Sequence, residues 1–172
     1  KPNGGELSHR GLCNLAKEQI RMFGVQPGSR ILQFASLSFD ASIYEIIMAL
    51  CSGSQLYLSE QKTLIPGAEL VQLINQSAIT HTVLPPSVLA TMSADDLPCL
   101  KTVITAGEQC SLNIANAWSK NRRFFNAYGP TEATVCTTIC ECDSEDVPPI
   151  GRPISNFHLY ILDQNLQPVP VG

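Results

Sequence analysis

The sequence predicts an α/β fold in which a mostly parallel sheet is covered by helices. Short apolar segments typical of strands alternate with segments of helical periodicity along most of the chain, which favours parallel strands joined by helices. The 172 residues are 44% hydrophobic and 15% charged, which is enough apolar material for one buried core, with no sign of disorder. We therefore expect one domain, or part of one.

Four helices are expected where apolar residues recur at helical spacing. They cover residues 12–23, 42–51, 68–76 and 112–118. Ser8 is placed to cap the start of the first helix, and Gly24 is placed to end it. Ser52 and Gly53 mark the end of the second helix.

Six segments have the length and composition of strands. They cover residues 31–35, 55–58, 79–84, 102–106, 123–126 and 157–162. Pro85 and Pro86 end the third of these strands, and Gly107 follows the fourth. Residues 143–149 are acidic and contain proline, so we expect a loop there, and residues 163–165 should form a turn after the last strand.

Charge and hydropathy exclude several classes of function. The net charge is −4 with a pI of about 5.3, and Lys and Arg are scattered, so we expect no nucleic-acid partner. The longest apolar run, residues 43–50, is interrupted by Glu45 and is too short to cross a membrane. No signal or transit peptide precedes the predicted fold, which begins with Lys1, and both ends look cut. These observations predict a cytoplasmic protein without a membrane partner.

The seven cysteines are expected to be free thiols. Their number is odd, and most stand singly in apolar segments, which is typical of buried thiols in a reducing compartment. The single cysteines in apolar segments are Cys13, Cys51, Cys110 and Cys136. Cys140 and Cys142 form the only close pair, and their spacing, with no second pair or nearby His, is a poor zinc signature.

The segment from Asn126 to Glu132, Asn-Ala-Tyr-Gly-Pro-Thr-Glu, concentrates chemical groups at the end of a predicted strand. Ligands of open α/β sheets bind at such strand ends. Tyr128 offers a flat face for a base, Asn126 an amide for a base edge, and Thr131 a hydroxyl for phosphate. Glu132 offers a hard oxygen ligand for Mg²⁺. These residues favour a nucleoside-triphosphate site, and the alternative is a surface turn with a tyrosine packed beneath it.

This motif resembles the core motif of the adenylate-forming enzymes, and in its full form the adenylation domains of nonribosomal peptide synthetases. The resemblance implies the central part of the large N-terminal subdomain of that fold, with adenine against Tyr128 and its exocyclic amine near Asn126. Ala127 and Gly129 are then part of the nucleotide-binding segment. Catalytic roles are implied for two residues, Thr131 at the phosphates and Glu132 on Mg²⁺.

Two upstream segments extend the resemblance. Phe-Asp-x-Ser around Asp40 is similar to the peptide-synthetase branch, which implies that Asp40 pairs with the α-ammonium of an amino acid substrate. The alternative is that Asp40 caps the second helix, although Ser42 is the better cap. Gly107 and Glu108 flank the adenine in the family, and the alternative is a strand-to-helix turn with Glu108 near a helix start.

The ends of the chain bear on how much of the family's domain is present. Residues 1–5 resemble the tail of the family's phosphate-binding loop, with Asn3 at the lysine position, and Gly-Arg-Pro-Ile at residues 151–154 is also typical of the family. The resemblance covers residues 1–172 and implies a partial adenylation domain with a truncated phosphate loop. The ribose-binding residue and the small C-terminal subdomain are expected to be missing, so this polypeptide alone is expected to be inactive.

By the same resemblance, one set of residues lines the amino acid pocket. They are Asp40, Ala41, Tyr44, Val83, Ile104, Ala106, Ala127, Val135 and Cys136. Apart from Asp40 none is charged, so a charged substrate side chain would be buried without a partner, which disfavours acidic and basic substrates. The alanines leave a deep slot, so we expect a large hydrophobic amino acid, Phe or Tyr ahead of Leu. Bulk at Tyr44 would shift the preference toward Leu.

The resemblance implies that ATP, with Mg²⁺, activates an amino acid as an aminoacyl adenylate. The aminoacyl group would then pass to the phosphopantetheine of an adjacent carrier domain, in a synthetase that also has a condensation domain. Two alternatives remain, a ligase of the acyl-CoA synthetase type and a nucleotide-binding module without catalysis. Intact Asp40, Thr131 and Glu132 favour the amino-acid-activating enzyme, whereas Asn3 mildly favours the module without catalysis.

Overall fold

The computed structural model describes residues 5–143 and 146–170, so the predicted phosphate-loop remnant around Asn3 lies outside the described residues. The strands are β1 (Arg30–Leu32), β2 (Gln55–Tyr57), β3 (His81–Val83), β4 (Thr102–Thr105), β5 (Arg123–Tyr128), β6 (Thr138–Glu141) and β7 (Arg152–Pro153). They form one sheet in the order β2-β1-β3-β4-β5-β6-β7. Strands β1 to β5 are parallel to one another, whereas β6 is antiparallel to β5 and β7 is antiparallel to β6.

The helices are α1 (His9–Phe23), α2 (Ala41–Leu50), α3 (Ala68–Gln76), α4 (Pro86–Leu89) and α5 (Leu112–Ser119). The four expected helices are therefore confirmed. Ser8 caps α1 by accepting a hydrogen bond from the Gly11 amide at 3.3 Å, and Gly24 ends it with a left-handed φ of 67°. The short α4 was not expected, and it begins at Pro86, a residue that suits the first turn because it needs no amide partner there.

Two hydrophobic cores lie on opposite faces of the sheet, because consecutive strand residues point to opposite sides. In β4, Val103 belongs to one core and Ile104 to the other, and in β5 Phe124 and Phe125 divide in the same way. Helices α1 and α2 cover the face with Ile104, and α3, α4 and α5 cover the face with Val103. The predicted mostly parallel sheet covered by helices is confirmed.

Several boundaries and elements differ from the prediction. Strands β6 and β7 were not expected, and residues 157–162 do not form the predicted strand. In that segment Tyr160 is 72% exposed and Ile161 is 77% exposed, and among the described residues its only ladder contact is a single bridge from Leu162 to Pro168. The predicted turn is confirmed, because the Asp163 carboxylate accepts hydrogen bonds from the amides of Asn165 and Gln167.

The cysteines divide into buried and exposed thiols, and each of the seven is free. Cys110 and Cys136 are buried as expected. The expectation for Cys13 and Cys51 was wrong, because both lie on exposed positions of their segments. Among the helices of residues 5–143 and 146–170, none has the length and apolar character needed to cross a lipid bilayer.

Candidate functional site

The carboxyl ends of the parallel strands bring the predicted site residues to one edge of the sheet. Strands β1, β3, β4 and β5 run in the same direction, so the segments that follow them emerge side by side. Those segments carry Asp40 after β1, Gly107 and Glu108 after β4, and Thr131 and Glu132 after β5. Residues up to 92 positions apart in sequence therefore lie at the same edge of the sheet.

A short hydrogen bond joins the two motifs at this edge. The Thr131 hydroxyl donates to the Asp40 carboxylate, with Oγ1 2.6 Å from Oδ2. Asp40 stands directly before α2, yet its side chain makes no capping hydrogen bond to that helix. The expectation that Ser42 is the better cap was wrong, because Ser42 lies inside α2 and its hydroxyl donates to the Phe39 carbonyl at 2.7 Å. The Asp40 carboxylate is thus directed toward the strand-end site and away from the helix amides.

Asn126 and Tyr128 lie two residues apart on β5 and differ in their exposure to solvent. The Asn126 side chain is 6% exposed, and its Nδ2 donates to the Pro149 carbonyl at 2.8 Å. This bond fixes the amide orientation and leaves Oδ1 as the atom that can accept a hydrogen bond, for example from an exocyclic amine. Tyr128 is 52% exposed, so a face of its ring is open for stacking.

Gly107 and Glu108 form the turn after β4. Gly107 has a left-handed φ of 87°, and no heavy atom lies within 4 Å of the position where a Cβ would stand. Its backbone is therefore open for the close approach of a flat ring. The Glu108 carboxylate accepts hydrogen bonds from the Ser87 amide at 3.0 Å and the Ser87 hydroxyl at 2.8 Å. Glu108 thus ties this turn to the start of α4, and the next helix, α5, is capped by Ser111 instead.

Most of the residues expected to line the amino acid pocket lie together in the core beneath α1 and α2. Five are buried there: Tyr44, Val83, Ile104, Ala127 and Cys136. Ala106 and Val135 are partly buried against them. Strand pairing brings two of them together, since Val83 in β3 is paired with Ile104 in β4. Ala41 is half-buried at the start of α2, next to Asp40, and is not part of this core.

A group of buried polar atoms lies in the wall of this apolar cluster. The Tyr44 hydroxyl and Gln19 Oε1 have no hydrogen-bond partner among the described residues, and Gln19 Nε2 donates to the Tyr44 carbonyl at 2.9 Å. Burial, and next the neighbouring Cys136 thiol, raise the pKa of Tyr44. Burial raises the pKa of Cys136 to about 11, so both groups are neutral at pH 7. Sequence reasoning did not predict that the Gln19 side chain is buried beside Tyr44, although a glutamine at an apolar position of a helix was the available signal.

The segment after the Tyr-Gly-Pro-Thr-Glu motif has a strained backbone. Thr134 and Val135 have positive φ values of 59° and 68°, which β-branched residues rarely adopt. Gly129 packs against this segment, because a Cβ there would lie 2.6 Å from the Cys136 Cα and from the Val135 carbonyl oxygen. Gly11 in α1 approaches the Thr134 side chain as closely, with 2.7 Å from a Cβ position to Oγ1. Two glycines therefore allow Val135 and Cys136 to reach the apolar cluster.

Glu132 is exposed in the single turn Thr131–Ala133 and forms no ion pair with a described residue. Among residues 5–143 and 146–170, no group of three or more His, Cys, Asp or Glu side chains could bind a metal together. Mg²⁺ commonly binds one or two protein carboxylates together with substrate phosphates and water. A single open carboxylate beside Thr131 fits that mode of binding.

Comparison with known proteins gives matches along the whole chain. A family model described as AMP-binding enzyme matches residues 1–172. Bacitracin synthase 3 of Bacillus licheniformis is 46% identical over 172 residues, which are 100% of this chain and 3% of that protein. Tyrocidine synthase 1 of Brevibacillus parabrevis is 40% identical over 176 aligned residues, with 100% of this chain and 16% of that protein covered. The chain therefore spans only a small part of these relatives.

A solved structure has the same fold. The Vibrio cholerae adenylation domain AlmE, determined in complex with glycyl-adenosine-5'-phosphate, superposes with a TM-score of 0.88 at 23% identity. The superposition covers 100% of this chain and 35% of the AlmE chain. The family-model match over residues 1–172 and the 46% identity to bacitracin synthase 3 confirm the resemblance to the adenylation domains of nonribosomal peptide synthetases, and the chain belongs to the AMP-binding enzyme family.

Proposed function

We propose that this chain is the central part of an enzyme that activates an amino acid with ATP for nonribosomal peptide synthesis. The observation that carries the proposal is the Thr131–Asp40 hydrogen bond of 2.6 Å, because it places a hydroxyl that can contact phosphate beside a carboxylate that can pair with an ammonium group. In the reaction, a carboxylate oxygen of the amino acid attacks the α-phosphorus of ATP and the bond to the β-phosphate oxygen breaks. The products are an aminoacyl adenylate and pyrophosphate.

The nucleotide is proposed to bind across the ends of β4 and β5. Its adenine would stack on the exposed Tyr128 ring and lie against the open backbone at Gly107, with its exocyclic amine donating to Asn126 Oδ1. The Thr131 hydroxyl would contact a phosphate oxygen, and Glu132 would hold Mg²⁺. Mg²⁺, when bound, neutralises phosphate charge. The residues of this chain mainly hold the reacting groups in line, which is a large part of catalysis in such a transfer.

The amino acid is proposed to bind with its ammonium group on Asp40 and its side chain among the buried apolar residues. Tyr44, Ile104 and Ala127 are each at most 5% exposed, so a substrate side chain reaching them leaves water. A charged side chain would cost several kcal/mol there, on the order of the penalty for an unpaired buried charge. We therefore propose a large hydrophobic substrate, Phe or Tyr ahead of Leu.

The Asp40 carboxylate separates this proposal from the acyl-CoA synthetase alternative. A fatty or aryl acid has no ammonium to pair with a carboxylate, and an unpaired carboxylate beside an apolar substrate is unfavourable. Asp40 makes no helix cap that would explain it in another way. In the relatives named synthases, we propose by analogy that the aminoacyl group passes to the phosphopantetheine thiol of a neighbouring carrier domain, before a condensation domain.

ATP–pyrophosphate exchange by the complete protein that contains this chain tests the proposal. We expect exchange that depends on an amino acid, with the maximum at Phe or Tyr, and little exchange with 3-phenylpropanoate, which lacks the amine. A maximum with Asp, Lys or Gly would refute the assigned pocket. Absence of exchange with every common amino acid would refute the enzymatic function and favour a nucleotide-binding module.

A further inference from the structure

Glu45 is a fully buried carboxyl group that the proposed reaction does not use. It lies in the second turn of α2 with 0% of its surface exposed. Among the described residues it has no Lys, Arg or His partner within ion-pair distance. Removing a carboxyl group from water without a cation is unfavourable, so its hydrogen bonds must account for its presence.

Every hydrogen bond that the described residues donate to the Glu45 carboxyl group comes from one short stretch of chain. Its Oε2 accepts from the Phe34 amide at 3.0 Å, from the Ala35 amide at 3.1 Å and from Gln33 Nε2 at 3.2 Å. Its Oε1 accepts a longer bond from the Ala35 amide, at 3.3 Å. The donors directly follow β1, so Glu45 acts on the first residues of the loop that leads to α2.

This loop, residues 33–40, ends at Asp40. Its first residue is attached to the sheet, because the Gln33 amide donates to the Tyr57 carbonyl at 2.9 Å. Its last residues are attached to the start of α2, because the Ser42 hydroxyl donates a hydrogen bond to the Phe39 carbonyl. Residues 36–39 between these points are exposed and contribute little packing. The position of Asp40 therefore depends on how the loop is fixed at its start and at α2.

The hydrogen bonds of the Glu45 carboxyl group are local. Among the described residues they link α2 to the loop that precedes it and to no other element. Without the carboxyl group, the Phe34 and Ala35 amides would lose their partners, and buried amides without partners are unfavourable. The loop would move until those amides reached water, and Asp40 would move with it.

We propose that Glu45 is a positioning residue for the amino acid site, because its buried carboxyl group fixes residues 33–35 and thereby places Asp40 beside Thr131. The inference rests on the proposed function. It assigns Glu45 an effect on the binding of the amino acid that exceeds its effect on the binding of ATP, since Asp40 is the residue that faces the ammonium group.

Steady-state exchange kinetics of the complete protein test the inference with three variants. In Glu45→Met, which removes the acceptor and keeps the volume, kcat/KM for the amino acid should fall about 10- to 100-fold, as expected for a misplacement on the order of 1 Å. The fall should appear mainly as a higher KM for the amino acid, whereas the KM for ATP should change less than about threefold, because Asp40 is proposed to face the ammonium group. A uniform loss of folded enzyme would alter neither KM. Glu45→Gln should restore most of the activity, since the three shortest bonds all end on Oε2, which an amide oxygen can replace.

Glu18→Met is the matched control. Glu18 is also a buried carboxylate on a helix, 7% exposed, but it accepts from Arg21 and Ser155, away from the loop. This variant should lower the melting temperature without raising the KM for the amino acid.

The outcomes separate the two proposals. An inactive wild-type protein overturns the proposed function and this inference with it. An active wild type in which Glu45→Met leaves the amino acid KM unchanged overturns this inference alone. If Glu45→Met fails to fold, Gln33→Met decides, since it removes one half-buried donor to Glu45, and an unchanged amino acid KM in that variant also overturns the inference.

Discussion

At the scale of single residues, the site depends on a few atoms that have little room to move. Gly129 is the clearest example, since a Cβ there would lie 2.6 Å from the Cys136 Cα and 2.7 Å from the Thr137 amide nitrogen. Real Cβ atoms do not approach so closely, and the neighbours are backbone atoms that cannot rotate away. The segment around Cys136 therefore requires glycine at this position.

We predict that Gly129→Ala destabilises the protein by about 1–3 kcal/mol, the usual cost of overpacking. It should also lower kcat/KM for the amino acid, because the chain at Val135 and Cys136 must shift. Chemical unfolding and exchange kinetics measure the two effects. Gly28→Ala is the control, since nothing lies within 4 Å of a Cβ at Gly28, and equal destabilisation of both variants would contradict the prediction.

A second prediction concerns the charge of Asp40. Asp40→Asn keeps the shape of the side chain and an acceptor for Thr131, but it removes the negative charge that would pair with an ammonium group. We expect the exchange rate with Phe to fall by about two orders of magnitude, because truncating one side of a desolvated charge pair costs on the order of 2–5 kcal/mol. Asp146→Asn, at an exposed acid that is not among the proposed site residues, should retain the wild-type rate. Retention of that rate by Asp40→Asn would assign Asp40 no role beyond structure.

A third prediction follows from the burial of Glu45. Burial raises the pKa of its carboxyl group from 4.5 to about 8, although hydrogen bonds from Ala35, Phe34 and Gln33 act in the opposite direction. Because the folded pKa is the higher one, the contribution of Glu45 to stability is complete below pH 4.5 and is lost as the pH rises to about 8. The free energy of unfolding of the wild type should therefore fall relative to Glu45→Gln by a few kcal/mol across this range, at about 1.4 kcal/mol per pKa unit. Chemical unfolding at pH 5 and at pH 8 measures it, and a pH-independent difference between the two proteins would contradict it.

The sequence predicted the chemical groups of the site better than their contacts. Asp40 and Thr131 could each be named from a local motif, but the hydrogen bond between them joins residues 91 positions apart. Glu45 was visible only as an interruption of an apolar run, because periodicity cannot tell a buried carboxyl group with partners from an exposed one. Contacts of this kind depend on the strand order, which local patterns do not contain.

At the scale of elements, capped helices were predictable and short antiparallel strands were not. Ser8 and Gly24 bounded α1 correctly because capping is a local property. Strand β6 has only four residues, and β7 has two, one of them a proline, so neither has a recognisable pattern. The apolar residues 157–162 have the composition of a strand, but a strand also needs a neighbour to pair with, which a sequence pattern does not supply.

The cap of α1 gives a prediction at this scale. Ser8→Ala removes the oxygen that accepts from the Gly11 amide and should destabilise the protein by about 1 kcal/mol, the usual cost of losing a serine cap. Ser38→Ala is the control, because the Ser38 side chain is exposed and makes no hydrogen bond to a described residue. The midpoints of chemical unfolding compare the two, and a smaller loss for Ser8→Ala than for Ser38→Ala would contradict the prediction.

At the scale of the whole molecule, the sheet separates a structural core from a core that also forms the proposed pocket. Ile74 in α3 and Ile104 in β4 are both fully buried, one in each core. The face covered by α3, α4 and α5 contains none of the residues expected to contact the amino acid. Equivalent substitutions in the two cores should therefore destabilise the protein to a similar extent. Only those in the core with the proposed pocket should change the amino acid specificity.

We predict that Ile74→Val and Ile104→Val each destabilise the protein by about 0.5–1.5 kcal/mol, the usual cost of one buried methylene. Only Ile104→Val should change the ratio of exchange rates between Phe and Leu, because Ile104 lies in the proposed slot. Unfolding midpoints and an exchange assay with both amino acids make the comparison. A change of the ratio in Ile74→Val as large as in Ile104→Val would show that the sheet does not separate the two cores in this way.

The bond between Thr131 and Asp40 also has a thermodynamic consequence. One carboxylate oxygen receives the hydroxyl at 2.6 Å, and the same carboxylate is the proposed partner of the ammonium group. An amino acid that takes over this carboxylate frees the hydroxyl to turn toward a phosphate, so occupancy of one subsite alters affinity at the other. Linkage requires the effect to be reciprocal: the factor by which the amino acid changes nucleotide affinity equals the factor by which the nucleotide changes amino acid affinity. A single hydrogen bond would thus couple the binding of the two substrates before any covalent bond is formed.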